Sequence, residues 1–122
     1  MRRSLMLLCL LLAVASWASA QDPTEVDADH YQIVFENDQV RVLRITYGAG
    51  EKSVMHYHPD AVAVFFTDQK VRFTMPDETT AVVEAKAGEA AWIPAGHHLP
   101  ENLSDEPLEL ILVEFKGGEG GD

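Results

Sequence analysis

The chain has 122 residues, and its 9 Lys and Arg stand against 20 Asp and Glu, a formal net charge of −11. That length allows one domain around one small core, and the negative charge excludes nucleic acid and anionic lipid, which are bound through clustered Lys and Arg. Hydrophobic residues make up 47% of the chain and fall in periodic runs, which excludes intrinsic disorder.

Residues 1–20 have the three zones of a cleavable signal peptide: Arg2-Arg3, the apolar run Leu5–Val14, and Ala18-Ser19-Ala20 before Gln21. The apolar run is shorter than the ~20 residues of a membrane span. The expected product is secreted or periplasmic, with no membrane attachment after cleavage. Cleavage removes two basic residues and no acid, leaving 7 basic and 20 acidic side chains, a net of −13. It also removes Cys9, the only cysteine, and with it any disulfide, thiolate nucleophile or Cys metal ligand.

Residues 21–30 are acidic and aperiodic and read as a flexible leader, in which His30 has no assigned role. Short strands follow, at Tyr31–Glu36, Gln39–Tyr47, Ser53–His58, Ala61–Thr67, Lys70–Met75, Thr80–Lys86, Ala90–Ile93 and Leu108–Phe115, with turn residues between them. No segment predicts a helix of more than one turn. The fold class is therefore all-β, a sandwich or barrel, over residues 31–116, with a disordered Gly-rich tail at 117–122. Leu108–Phe115 is apolar on both faces. A small barrel buries one face only, so the outward set Ile111, Val113 and Phe115 predicts a homodimer.

Three histidines carry the chemistry. His56 and His58 are two apart, so a strand points both to one face, with Cβ atoms about 6–7 Å apart. Two imidazoles so placed can converge on a divalent ion, and His98 can join them from a distant strand. Its neighbour His97 must face the other way. Asp60 extends the His56, His58 spacing by two, but Pro59 favours a turn there.

These residues sit in two motifs that resemble those of the cupin superfamily. Gly50, five residues, then His56-Tyr57-His58 is similar to its first motif. Gly88, five residues, then Pro94-Ala95-Gly96, His98 and Asn102 is similar to its second, with His98 and Asn102 one residue nearer Gly96 than in the pattern. The resemblance spans Tyr31 to Phe115. It implies a cupin double-stranded β-helix (jelly-roll) barrel and one divalent metal ion (Fe, Mn, Ni, Cu or Zn) on His56, His58 and His98. The family's glutamate ligand would fall at Val62 or Ala63, and neither can ligate. Three arrangements stay open: three histidines alone, Asp60 as a substitute, or a cavity that has lost its metal.

The function implied is that of an exported cupin with a small-molecule ligand or substrate, a metal-dependent oxygenase of the quercetin dioxygenase-like branch. The alternative is a non-catalytic ligand-binding module. Asn102 is expected to fix its own turn, and Glu101 is a candidate acceptor for a histidine N–H. Trp92, six residues before His98, is expected to border the cavity. Ser53 and Ser104 lack the strained elbow of a nucleophilic serine.

Overall fold

The computed structural model describes residues 21–117. The predicted signal peptide and residues 118–122 of the tail lie outside the described residues. A one-turn helix, α1 (Pro23–Val26), precedes nine strands: β1 (Tyr31–Glu36), β2 (Val40–Tyr47), β3 (His56–His58), β4 (Ala61–Phe65), β5 (Gln69–Thr74), β6 (Thr80–Ala85), β7 (Ala90–Ile93), β8 (Gly96–Asn102) and β9 (Leu108–Phe115). They form a five-stranded sheet, β1-β2-β9-β4-β7, and a four-stranded sheet, β3-β8-β5-β6, antiparallel at every pairing. The all-β expectation holds.

The alternation of side chains decides which face is core. On β2, Leu43, Ile45 and Tyr47 are buried while Arg44 and Thr46 are exposed. Their partners on β9, Leu112, Leu110 and Leu108, complete the apolar wall. Ala61 and Ala63 of β4 are fully buried with only methyl groups to offer. The turn before β2 is set by Asn37, whose Oδ1 accepts from the Gln39 and Val40 amides at 2.8 and 2.9 Å.

Three expectations need correction. Gly96–Asn102 is a strand, although its histidines, Pro100 and Asn102 are weak strand formers. Pairing with β3 on one side and β5 on the other overrides local preference. Residues 21–30 are not a loose leader. Pro23 is buried, Asp22 caps α1 by accepting from the Thr24 amide at 2.9 Å, and the Tyr57 amide donates to the Gln21 carbonyl at 2.9 Å. Trp92 lies on the outer face, 57% exposed and stacked on Phe115 at 5.9 Å. It pairs with Val62, while its neighbours Ala91 and Ile93 line the interior.

Leu43 is fully buried at the centre of the core. Leu43→Ala should cost about 2–5 kcal/mol in denaturant unfolding, whereas Thr46→Ala, exposed on the same strand, should change stability by less than about 0.5 kcal/mol.

Candidate metal centre

β3 contributes His56 and His58 to one face, both buried, with Tyr57 between them on the other. β8 lies beside it in a register that pairs His56 with His98 and Tyr57 with His97. Cross-strand partners share a face, so His98 joins the pair, and His97 turns outward against Tyr57, with ring centroids 5.1 Å apart. The three inward rings stand 4.7, 5.0 and 5.2 Å apart, centroid to centroid. One nitrogen from each lies within 4.8 Å of the others. The structure thus brings together the three histidines named from the sequence and leaves out His97 and His30.

The hydrogen bonds fix which nitrogens face inward. His58 Nδ1 lies 2.7 Å from Glu114 Oε2, and His56 Nδ1 lies 2.8 Å from the Val54 carbonyl. A carbonyl can only accept, as can an ionised carboxylate, so both Nδ1 atoms carry a proton, and where the rings are neutral both Nε2 atoms are lone pairs. Those two Nε2 atoms face each other at 3.0 Å. In neutral imidazoles no proton remains to join them, and the contact is repulsive until a cation enters. Two nitrogens each about 2.1 Å from one ion at a right angle would stand about 3 Å apart. The donor set therefore fits a divalent metal.

Burial lowers the pKa of His56 to about 4, with the neighbouring His58 adding to the effect. Burial likewise lowers His98 to about 3, with His58, His56 and His97 adding. Both rings are neutral ligands at neutral pH.

Asp60 does not join the centre. Its Oδ1 accepts from the Ala95 amide at 2.8 Å and fastens the Pro94–Gly96 turn. Glu101 does not serve a histidine and instead reaches Arg72 at 3.4 Å. Asn102 does fix its turn: its amide donates to the Gly48 and Glu106 carbonyls, and its oxygen accepts from Ser104. Ser53 Oγ donates to Asp27 at 2.5 Å. The position of the expected glutamate ligand holds outward Val62 and inward Ala63, so no oxygen reaches the centre from there.

The residue that sequence reading missed is Glu114. It is 1% exposed, inside a strand whose other inward residues are leucines, and is paired with His58 and with Arg41 Nε at 2.7 Å. Its inward phase on β9, shared with Leu108, Leu110 and Leu112, was a readable signal, since an acid in a buried register needs a partner.

From the histidines a cavity of about 200 Å³ runs through the barrel. Its walls include Tyr47, Phe65, Phe73, Leu110 and Ile93, and it also reaches β6 and β7, the end strands of the two sheets.

A family model described as the Cupin domain matches residues 43–114. The chain belongs to the cupin family. Its solved structural neighbours include a cupin domain from Bordetella pertussis, at 23% identity and TM-score 0.66, covering 70% of this chain and 91% of that one. A double-stranded β-helix protein from Klebsiella pneumoniae aligns at 21% identity and TM-score 0.57, covering 71% and 76%. A cupin family protein with the double-stranded β-helix fold from Methanocaldococcus jannaschii aligns at 18% and 0.56, covering 70% and 77%. Among curated proteins, none matches the chain. The expected cupin barrel is therefore the fold of this protein, and its three-histidine cluster is a possible metal site within it.

The lowered histidine pKa values set a pH dependence for the metal-free cupin. Between about pH 6.5 and the folded values, the unfolded chain binds more protons than the folded one. The contribution of His56 and His98 to stability is therefore full above about pH 6.5 and is lost as pH falls. His30, raised by its contacts, is charged in both states below pH 6.5 and offsets nothing there. Thermal melts of metal-free protein should show Tm falling from pH 7 towards pH 4, and falling less in His98→Gln. A flat profile in the wild type would contradict the burial of neutral histidines.

Proposed function

We propose that this cupin is an exported metalloprotein whose three-histidine centre acts on a small molecule as a dioxygenase-like enzyme of the quercetin dioxygenase-like branch. The observation that carries the metal is the pair of Nε2 atoms held face to face at 3.0 Å. His56, His58 and His98 would hold the ion, and a bound divalent ion would supply Lewis acidity and, for iron, manganese or copper, one-electron chemistry with O2. The protein's own part is to keep three neutral donors on one side, shut them from bulk water, and present an apolar cavity to the other side. Export rests on the pattern of residues 1–20.

The cavity supports a particular kind of substrate. Its 200 Å³ is below the ~300–1,000 Å³ that takes drug-sized ligands, and suits about one ring, since a cavity of ~150 Å³ holds benzene. Among the described residues no Lys or Arg lines it, whereas Glu84 and Glu89 do. Phosphates and polycarboxylates are disfavoured, and a mostly apolar molecule with one oxygen or sulfur donor fits best. A non-catalytic module would share this binding chemistry.

The purified mature protein should carry about one divalent ion per chain by elemental analysis. His56→Ala and His98→Ala should lose most of it, while His97→Ala keeps it. Equal metal in all forms would refute the centre. O2 uptake with one-ring phenols, small diketones and thiols separates the two readings: turnover supports the enzyme, and bound redox-active metal without turnover supports the binding module.

A homodimer is the second part of the proposal. On the outer face, Phe35, Val42, Val113, Val62 and Trp92 form one row across all five strands, each paired with the next. The row has an aromatic ring at each end and valines between, so a two-fold axis near Val113 would set it against itself, as an isologous interface requires. Light scattering at tens of micromolar should give twice the chain mass, and Val113→Asp should halve it. A monomeric wild type would refute the dimer.

A further inference from the structure

The segment Gln21–His30 reaches the histidine centre at three places. First, Asp22 takes both Nη atoms of Arg41, at 2.6 and 3.1 Å, and Arg41 Nε in turn binds Glu114, whose other oxygen accepts from His58. Second, Asp27 accepts from Ser53 Oγ, and that hydroxyl lies 3.3 Å from His56 Nδ1. Third, the Gln21 carbonyl accepts from Tyr57, the residue between the two histidines, on the open edge of β3. His30 locks the segment down. Its two ring nitrogens donate to Asp27 at 2.8 Å and Glu51 at 3.0 Å, and its ring stacks on Tyr47 at 4.4 Å.

The charges follow a pattern. Behind His58 stand Asp22, Arg41 and Glu114, two acids and one base. Behind His56, through Ser53, stands Asp27, and beyond it His30, whose two donated bonds make it an imidazolium, with Glu51 on its outer side, again two acids and one base. Each group carries one net negative charge. Three neutral imidazoles leave a divalent ion uncompensated, and the family's ligand glutamate is absent here. The two groups restore that charge from behind the ligands, where it leaves the metal's own positions open.

We propose that residues 21–30 are the outer half of the metal centre, a clasp that aims His56 and His58 and supplies, from one shell out, the negative charge missing from the ligand set. Asp22, Asp27, Arg41 and Glu114 are positioning residues. This rests on the three-histidine metal site proposed above.

The test is Zn²⁺ affinity by competition with a chelator, and the Cu²⁺ electron paramagnetic resonance spectrum, on mature protein whose folding is checked by circular dichroism. Asp22→Ala, Asp27→Ala and Glu114→Gln should each weaken Zn²⁺ about 10- to 100-fold and alter the Cu²⁺ spectrum. Asp22→Glu should recover part of the loss. Glu36→Gln, which breaks a surface pair with Lys116, should change neither reading. If Glu114→Gln does not fold, Asp22→Asn, which keeps the side-chain volume and removes the charge, gives the same expectation. Wild-type binding that depends on His56 but is indifferent to Asp22 and Asp27 would overturn the clasp alone. Wild type that binds no Zn²⁺, or binds it equally without His56, would overturn the metal site and the clasp with it.

Discussion

Two imidazole Nε2 atoms confronting each other at 3.0 Å inside a barrel are the constraint around which this molecule is organised. Left alone, the rings would turn apart or share a proton. The structure closes the first escape. The Nδ1 atoms are committed to Glu114 and to the Val54 carbonyl, and burial, with His58 beside it, holds the pKa of His56 down to about 4, so that His56 itself is neutral at neutral pH. Tyr31 packs edge-on against His56 at 4.9 Å and Phe73 lies against His98 at the same distance. The rings therefore have little room to swing.

A carboxylate as deeply buried as Glu114 is expensive to desolvate and survives only with partners of opposite or donating character. It has two. Burial works against the charge on Arg41, but its bonds to Asp22 and Glu114 outweigh that and raise its pKa. Asp22 is lowered in turn, its bond to Arg41 overcoming its own partial burial. Acid, base and acid stabilise one another in a line from the first described residues to the centre of the barrel. Removing Arg41 would leave the buried Glu114 carboxylate with His58 as its remaining partner.

The rest of the barrel makes space. Ala61 and Ala63 put methyl groups where larger side chains would fill the interior, and the sheets are hydrogen-bonded through β9 and β8 while β6 and β7 remain sheet ends. The acidic surface and the acids at Glu84 and Glu89 disfavour anionic visitors to the cavity. The outer face of the larger sheet carries the opposite character, an apolar row crossing every strand.

The sequence by itself determined the fold class and the three-histidine cluster. Period-two alternation in Leu43–Tyr47 and Leu108–Leu112 is written residue by residue, and so is the shared face of His56 and His58, because strand geometry is local. Motif spacing added His98. What lay beyond local geometry had to wait for the tertiary structure. Gly96–Asn102 became a strand only by pairing on both sides, and Trp92 faced outward because its register against Val62 put it there. Residues 21–30 looked loose because their partners, Arg41, Ser53 and Tyr57, are well separated from them in sequence. Glu114 looked like one more acid in an acidic chain. An ionic network joins groups by distance in space, and no period in the chain records it.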